Sequence, residues 1–165
     1  MNVEELASRL GERFDAVLTA RGEVTVTVTP AELLDTLRTL RDDPALAFTF
    51  CADVSCTDWP GRDPRVWMAY HLYSPENGHR VRVKAGLPEG DLRMATATEV
   101  FPAADWHERE VFDFFGVVFD GHPDLRRILM PEEWQGHPLR KDHPLGGVPT
   151  QYKGAFVPPP DERGL

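Results

Sequence analysis

The run D-W-H-E-R-E-V-F-D-F-F-G-V-V-F-D-G-H-P-D-L-R-R-I-L-M, residues 105–130, decides how the chain is read. Its spacing predicts a helix over 103–115, closed by Gly116, the residue type that tolerates a left-handed terminal conformation. At about 100° per residue, Ala104, His107, Glu108, Val111, Phe112, Phe114 and Phe115 share one broad face. Asp105, Arg109 and Asp113 follow at i, i+4 spacing on the other face, so each acid can pair with the central arginine.

Glu108 interrupts the apolar face. A carboxylate there must be paired, hydrogen-bonded or protonated, because an isolated buried charge is very costly. The expected partner is Arg126 or Arg127, and on that basis Glu108→Gln is expected to cost on the order of 1–3 kcal/mol. A catalytic acid at Glu108 is the alternative. No nucleophile with an adjacent base accompanies it, and Val111 stands where a zinc-protease helix would place its second histidine.

A chain of 165 residues suits one domain, and 41% hydrophobic residues suffice for a core. The formal net charge of −9 argues against nucleic acid or an anionic lipid surface as the main partner. No apolar run approaches membrane-spanning length and no signal-peptide pattern opens the chain, so a cytoplasmic location without direct membrane insertion is expected. Cys51 and Cys56 cannot by themselves complete a four-ligand zinc or iron–sulfur site. Their odd spacing in a strand-like segment places them on opposite faces.

Along the chain, Asn2 with Glu5 forms a capping box for a first helix reaching Gly11 or Arg13. Residues 16–18 begin a strand, Gly22 turns, and 23–29 alternates as a half-buried strand. Pro30 opens a second helix, stopped at Asp42-Asp43-Pro44. A mostly apolar segment over 46–54 reads as a central strand. Strands over 65–73 and 79–87 are joined by Ser74-Pro75-Glu76-Asn77-Gly78, a hairpin loop. Arg80, Arg82 and Lys84 alternate with Val81, Val83 and Ala85, giving that strand a basic face towards water or a partner. Helices on a mixed sheet follow, a two-layer α+β arrangement. The expected division is an α+β domain over 1–130 and an extended Pro/Gly-rich segment over 131–165.

The block Gly136, His137, Pro138, Leu139, Arg140, Lys141, Asp142, His143, Pro144 echoes the earlier His122-Pro123 step. A histidine before proline sits in extended or turn geometry and serves as a two-ended hydrogen-bonding strut, and the spacing of the three histidines matches no common zinc pattern. Arg126-Arg127 and Arg140-Lys141 lie beside acids and no glycine-rich loop, which favours packing and interface salt bridges over phosphate binding.

Glu108-Arg109-Glu110, Asp113-Phe114-Phe115-Gly116 and His122-Pro123-Asp124-Leu125-Arg126-Arg127 resemble the signature of one family, the 30-kilodalton subunit of proton-pumping NADH:quinone oxidoreductase, respiratory complex I. Residues 134–144 resemble the family's second block, except that His143 stands where an aromatic is more usual. The resemblance implies a non-catalytic subunit of the peripheral arm, at the cytoplasmic face of the bacterial plasma membrane. It implies no flavin, nicotinamide or iron–sulfur cluster in this chain, while FMN, Fe-S clusters, NADH and quinone belong to the parent complex. Its implied partners carry the terminal cluster and the quinone cavity. Gly136, His137, Pro138, Arg140, Lys141, Asp142 and Pro144 are the expected interface. Two alternatives stay open: a related ferredoxin- or F420-dependent dehydrogenase or membrane-bound hydrogenase, and, in another class, a free-standing acid/base enzyme using Glu108.

Overall fold

Val24 and Val26, Met68, Tyr70 and Leu72, and Val81, Val83 and Ala85 alternate with less buried residues, and each set is buried. That period of two builds one side of the core. The computed structural model describes residues 2–143, 150–152 and 155–157. The elements are α1 (Val3–Gly11), β1 (Val17–Ala20), β2 (Glu23–Val28), α2 (Leu33–Asp42), β3 (Phe50–Asp58), β4 (Val66–Ser74), β5 (His79–Leu87), β6 (Arg93–Ala95), α3 (Ala104–Phe115), β7 (Val118–Asp120), β8 (Thr150–Tyr152) and β9 (Ala155–Val157). Five strands form a mixed sheet in the order β1-β2-β5-β4-β3, in which β2 and β5 run parallel. Leu6 and Leu10 of α1 and Leu33, Leu37 and Leu40 of α2 fill the core that this sheet supplies.

The first helix opens on the expected capping box, Asn2 Oδ1 accepting from the Glu5 amide at 2.8 Å while Glu5 accepts from the Asn2 amide. The hairpin also stands where expected, with Ser74 opposite His79. The second helix begins at Leu33, later than Pro30, because the Glu32 carboxylate turns back to accept from the Thr29 amide and hydroxyl, closing a separate turn first.

Two expectations about the third strand are corrected. It covers Phe50–Asp58 instead of 46–54, and it is an edge strand, not a central one. Leu46, Ala47 and Phe48 are buried, but they wrap the end of α2. The Leu46 and Ala47 amides bond the Asp43 carbonyl, Phe48 bonds Leu40, and Ala47 takes a positive φ of 45°. Their hydrophobicity reflects core filling and not strand pairing.

Cys51 and Cys56 are both buried, against the expectation of opposite faces. Cys51 pairs with Leu72 and Asp53 with His71, so Ala52 is an extra residue in the ladder. This β-bulge shifts the side-chain parity by one and turns Cys51 to the same side as Val54 and Cys56. The parallel pair β6 and β7, each of three residues, is too short to show a period in the sequence. Beyond His143, β8 and β9 pair as a small antiparallel hairpin, while Pro144 and residues 158–160 lie outside the described residues.

Candidate functional site

Helix α3 carries no basic residue in its last turn, so the negative end of its backbone must be satisfied from elsewhere. The satisfaction comes from downstream. Gly116, at φ 77°, donates to the Phe112 carbonyl; Arg127 Nη1 and His137 Nδ1 donate to the Asp113 carbonyl at 3.1 and 3.0 Å; the Leu139 amide donates to the Phe114 carbonyl. The two signature blocks therefore act together as a C-terminal cap for this helix.

The Asp113 side chain is the centre of the same assembly. It is fully buried, and Oδ2 accepts from the amides of Ile128, Leu129 and Met130 at 3.1, 2.9 and 2.9 Å. Oδ1 accepts from Arg127 at 2.6 Å. Burial alone would push this carboxyl up, but the Met130 and Leu129 amides, Arg127 and the Ile128 amide outweigh it and hold the group below its ordinary value. The turn at 128–130 thus forms an anion nest that fits an internal carboxylate.

The expected Asp105–Arg109–Asp113 ladder does not form, because residues 122–127 fold over that face and replace its partners. Arg109 Nε donates to the Arg126 carbonyl at 3.3 Å, its Nη1 lies 3.9 Å from Asp124, and its guanidinium stacks over Trp106. His122 is the strut that the His-Pro step implies: Nε2 donates to the Asp105 carbonyl and Nδ1 accepts from the Asp124 amide. Glu110 and Pro123 are exposed, as is Arg126, which pairs with Asp124 at 2.9 Å.

Glu108 is fully buried, as its place on the apolar face requires, but neither Arg126 nor Arg127 reaches it. Its partners are neutral. Thr96 Oγ1 lies 2.5 Å from Oε2, the Ala97 amide donates to Oε1 at 2.8 Å, and the Tyr70 hydroxyl approaches at 3.4 Å. Burial, with no cation to offset it, raises the carboxyl from 4.5 to about 7. The protonated acid is also satisfied here, donating to Thr96 Oγ1, which passes a bond on to Thr98.

A second hub joins Arg140, Lys141 and Asp142, which the sequence singles out, to Asp58, Arg65 and Glu89, which it does not. Arg65 is buried and takes Asp58 with Nε and Nη2 at 2.7 and 3.0 Å, Asp142 with Nη2 at 2.9 Å, and Glu89 with Nη1. The Lys141 amide donates to Asp58 Oδ2 at 2.8 Å, and Arg140 clamps Asp142 through two nitrogens. Arg65 accordingly holds the Asp58 carboxyl low, while Arg140 and then Arg65 do the same for Asp142. An arginine at the step from a loop into an apolar strand is the only sequence signal, and its Asp142 partner lies far down the chain. Arg127 Nη2 ties the Gly136 carbonyl at 2.9 Å, and Pro138 lies half-buried beside His137.

The His137 ring also presses on Gly116, where an added Cβ would meet ring atoms at 2.6 Å. Gly116→Ala combines this clash with a left-handed backbone, and should lower the unfolding free energy by about 2 kcal/mol. Urea unfolding of the variant checks it; a midpoint equal to that of the parent chain would contradict the cap.

Chemically, these groups hold one another through hydrogen bonds and ion pairs. Burial pushes the Cys51 and Cys56 thiols up to about 11 and 12, so neither is a thiolate ligand or nucleophile at neutral pH. Among the described residues, no three His, Cys, Asp or Glu side chains converge as a metal site, and no helix is long and apolar enough to cross a membrane. Among the large apolar side chains, the assembly exposes Trp106, Leu129 and Leu139.

The family model of the respiratory-chain NADH dehydrogenase 30 Kd subunit matches residues 26–149. The C subunit of the NADH-quinone oxidoreductase of Salinispora arenicola is 47% identical over 98% of this chain and 66% of its own length. Its counterpart in Saccharopolyspora erythraea is 51% identical over 87% of this chain and 58% of its own. The chain thus spans about two thirds or less of the length of these relatives. Among solved structures, the trypsin-resistant fragment of Nqo5 superposes with a TM-score of 0.65 at 29% identity, covering 76% of this chain and all of that one. A chain of the membrane-bound sulfane sulfur reductase, an archaeal respiratory membrane complex, superposes with a TM-score of 0.72 at 31% identity, covering 86% of this chain and 85% of that one.

Proposed function

The chain belongs to the family of the respiratory-chain NADH dehydrogenase 30 Kd subunit, and from that membership we propose that it is a non-catalytic structural subunit of the peripheral arm of an NADH-quinone oxidoreductase. It works at the cytoplasmic face of a bacterial plasma membrane, held there by its neighbours. The observation that carries this reading is the assembly around α3. Two charged hubs, Asp113 with Arg127 and Arg65 with Asp58 and Asp142, fix residues 122–143 on the domain and present Trp106, Leu129 and Leu139 outward. A rigid frame with an apolar rim suits joining subunits.

FMN and iron–sulfur clusters supply the electron transfer of such a complex, and among the described residues the donor set does not fit an iron–sulfur cluster. The thiols are protonated, and the buried carboxylates are consumed by internal hydrogen bonds. These groups, with NADH and quinone, are therefore assigned to neighbouring subunits. The segment from Gly136 to Pro144 with the residues beyond it is assigned to contacts with the subunits that carry the terminal cluster and form the quinone cavity. Likeness to a chain of the sulfane sulfur reductase fits the wider group of respiratory complexes, and the higher identity to the NADH-quinone oxidoreductase relatives favours the NADH-linked one.

Deleting the residues after Pro144 is expected to leave the domain folded, because the hubs lie upstream of the cut. Recovery of the assembled peripheral arm should fall, and quinone reduction should fall only in proportion. Thermal melting of the truncated chain, set beside the yield and per-complex turnover of the purified enzyme, checks this. Normal assembly with sharply lower turnover per complex would mean that the tail acts directly in the chemistry.

A further inference from the structure

One face of the five-stranded sheet carries the helices and the core; among the described residues, no element covers the other. Strand β5 sends Arg80, Arg82 and Lys84 to that open face, and β4 places Tyr73, His71 and Ala69 directly opposite them, with Trp67 one step further. The cations are not equivalent. Arg82 is paired with Glu23 and reaches Thr25. Arg80 and Lys84 have no carboxylate partner among the described residues, and each lies over an aromatic ring: Arg80 5.6 Å from the centroid of Tyr73, Lys84 4.7 Å from that of Trp67.

The surface is also concave at one end. Glu23, Phe50, His71, Tyr73, Arg80 and Arg82 line a cleft across β2, β5, β4 and the start of β3. The Phe50 ring is largely exposed there. The carboxylates on or beside the face are Glu23, held by Arg82, and Asp53, which lies across from His71 and 3.5 Å from His107. Burial and the neighbouring Arg82 charge lower the His71 pKa, so the imidazole is neutral at neutral pH and adds no charge. In a chain of net charge −9, two unpaired cations held over rings beside an aromatic cleft are complementary to carboxylates with adjoining apolar groups.

We propose that this open sheet face is a second docking surface, separate from the α3 rim, and that it receives an acidic segment of a neighbouring protein subunit. Carboxylates of that segment meet Arg80 and Lys84, and an apolar side chain enters the cleft against Phe50 and Tyr73. The inference rests on the reading of the chain as a subunit of a larger complex.

Carbodiimide coupling of the gently solubilised native complex tests it, because the reagent joins an amine to a carboxylate only in direct contact. Lys84 Nζ should couple to an Asp or Glu peptide of another subunit, and Lys84→Arg should abolish that product while the complex still assembles. Lys84 should also be acetylated roughly tenfold more slowly in the complex than in the free chain. Arg80→Glu with Lys84→Glu should lower retention of the chain on its complex roughly tenfold, since like charges then face each other. The paired glutamine variants, checked for an unchanged melting temperature, separate this loss from misfolding. Coupling of Lys84 confined to its own chain overturns the proposal. So does acetylation at the free-chain rate, or protection conferred only by anionic lipid vesicles. A chain that co-purifies with no complex at all would instead remove the subunit reading itself.

Discussion

Alanine in place of Asp113 is expected to lower the unfolding free energy by about 3–5 kcal/mol, the cost of stripping one partner from a buried, hydrogen-bonded charge pair. Three consecutive amides, Ile128, Leu129 and Met130, would lose their acceptor, and Arg127 would lose its anion. Asn keeps an acceptor oxygen and should lose roughly half as much. Urea unfolding at neutral pH measures both. The pH dependence has a definite sign. The folded carboxyl sits below its unfolded value, so the contribution is complete above about pH 4 and is lost as pH falls through the folded value. A loss under about 1 kcal/mol for the alanine variant would show that the turn at 128–130 finds other acceptors.

Glu108 should act in the opposite direction. Its folded pKa is raised from 4.5 to about 7, so the favourable state is the protonated one. Stability is complete below pH 4.5 and falls as pH rises through 7, by about 3 kcal/mol in all. Glu108→Gln removes that titration while keeping the shape and a donor for Thr96. The variant should match the parent near pH 4 and exceed it by about 3 kcal/mol at pH 8. The cost expected from sequence for the same substitution assumes a cationic partner, and that partner is absent. Melting temperatures of both proteins from pH 4 to pH 8 decide it; parallel curves would show that Glu108 stays ionised in the fold.

Local features are legible in the sequence because their causes are local. The capping box at Asn2, the hairpin at 74–79 and the end of α3 at Gly116 each depend on neighbours within a few residues. The burial of Glu108 follows from helical period alone. Its partners do not, since Thr96, Ala97 and Tyr70 come from other elements and share no pattern with it. Arg127 does meet a buried acid of α3, but the acid is Asp113 and not Glu108. Two buried carboxylates on one helix compete for it, and only the path of residues 122–130 shows which one it meets. The Arg65–Asp142 contact joins residues 77 positions apart and leaves no local trace.

The bulge in β3 lets chain length differ there by one residue without changing which side chains point inward. Val54, Cys56 and Asp58 are anchored by their burial opposite Tyr70, Met68 and Val66. Removing Ala52 would restore strict alternation, with Cys51 and Asp53 keeping their places opposite Leu72 and His71. Cys51 would still point inward with Val54 and Cys56, and Phe50 would still face solvent. A one-codon deletion at this point would therefore leave the buried set of the strand unchanged, whereas a deletion inside the regular ladder would turn one end of it over. Homologous strands that differ in length by this one residue should bury the same positions.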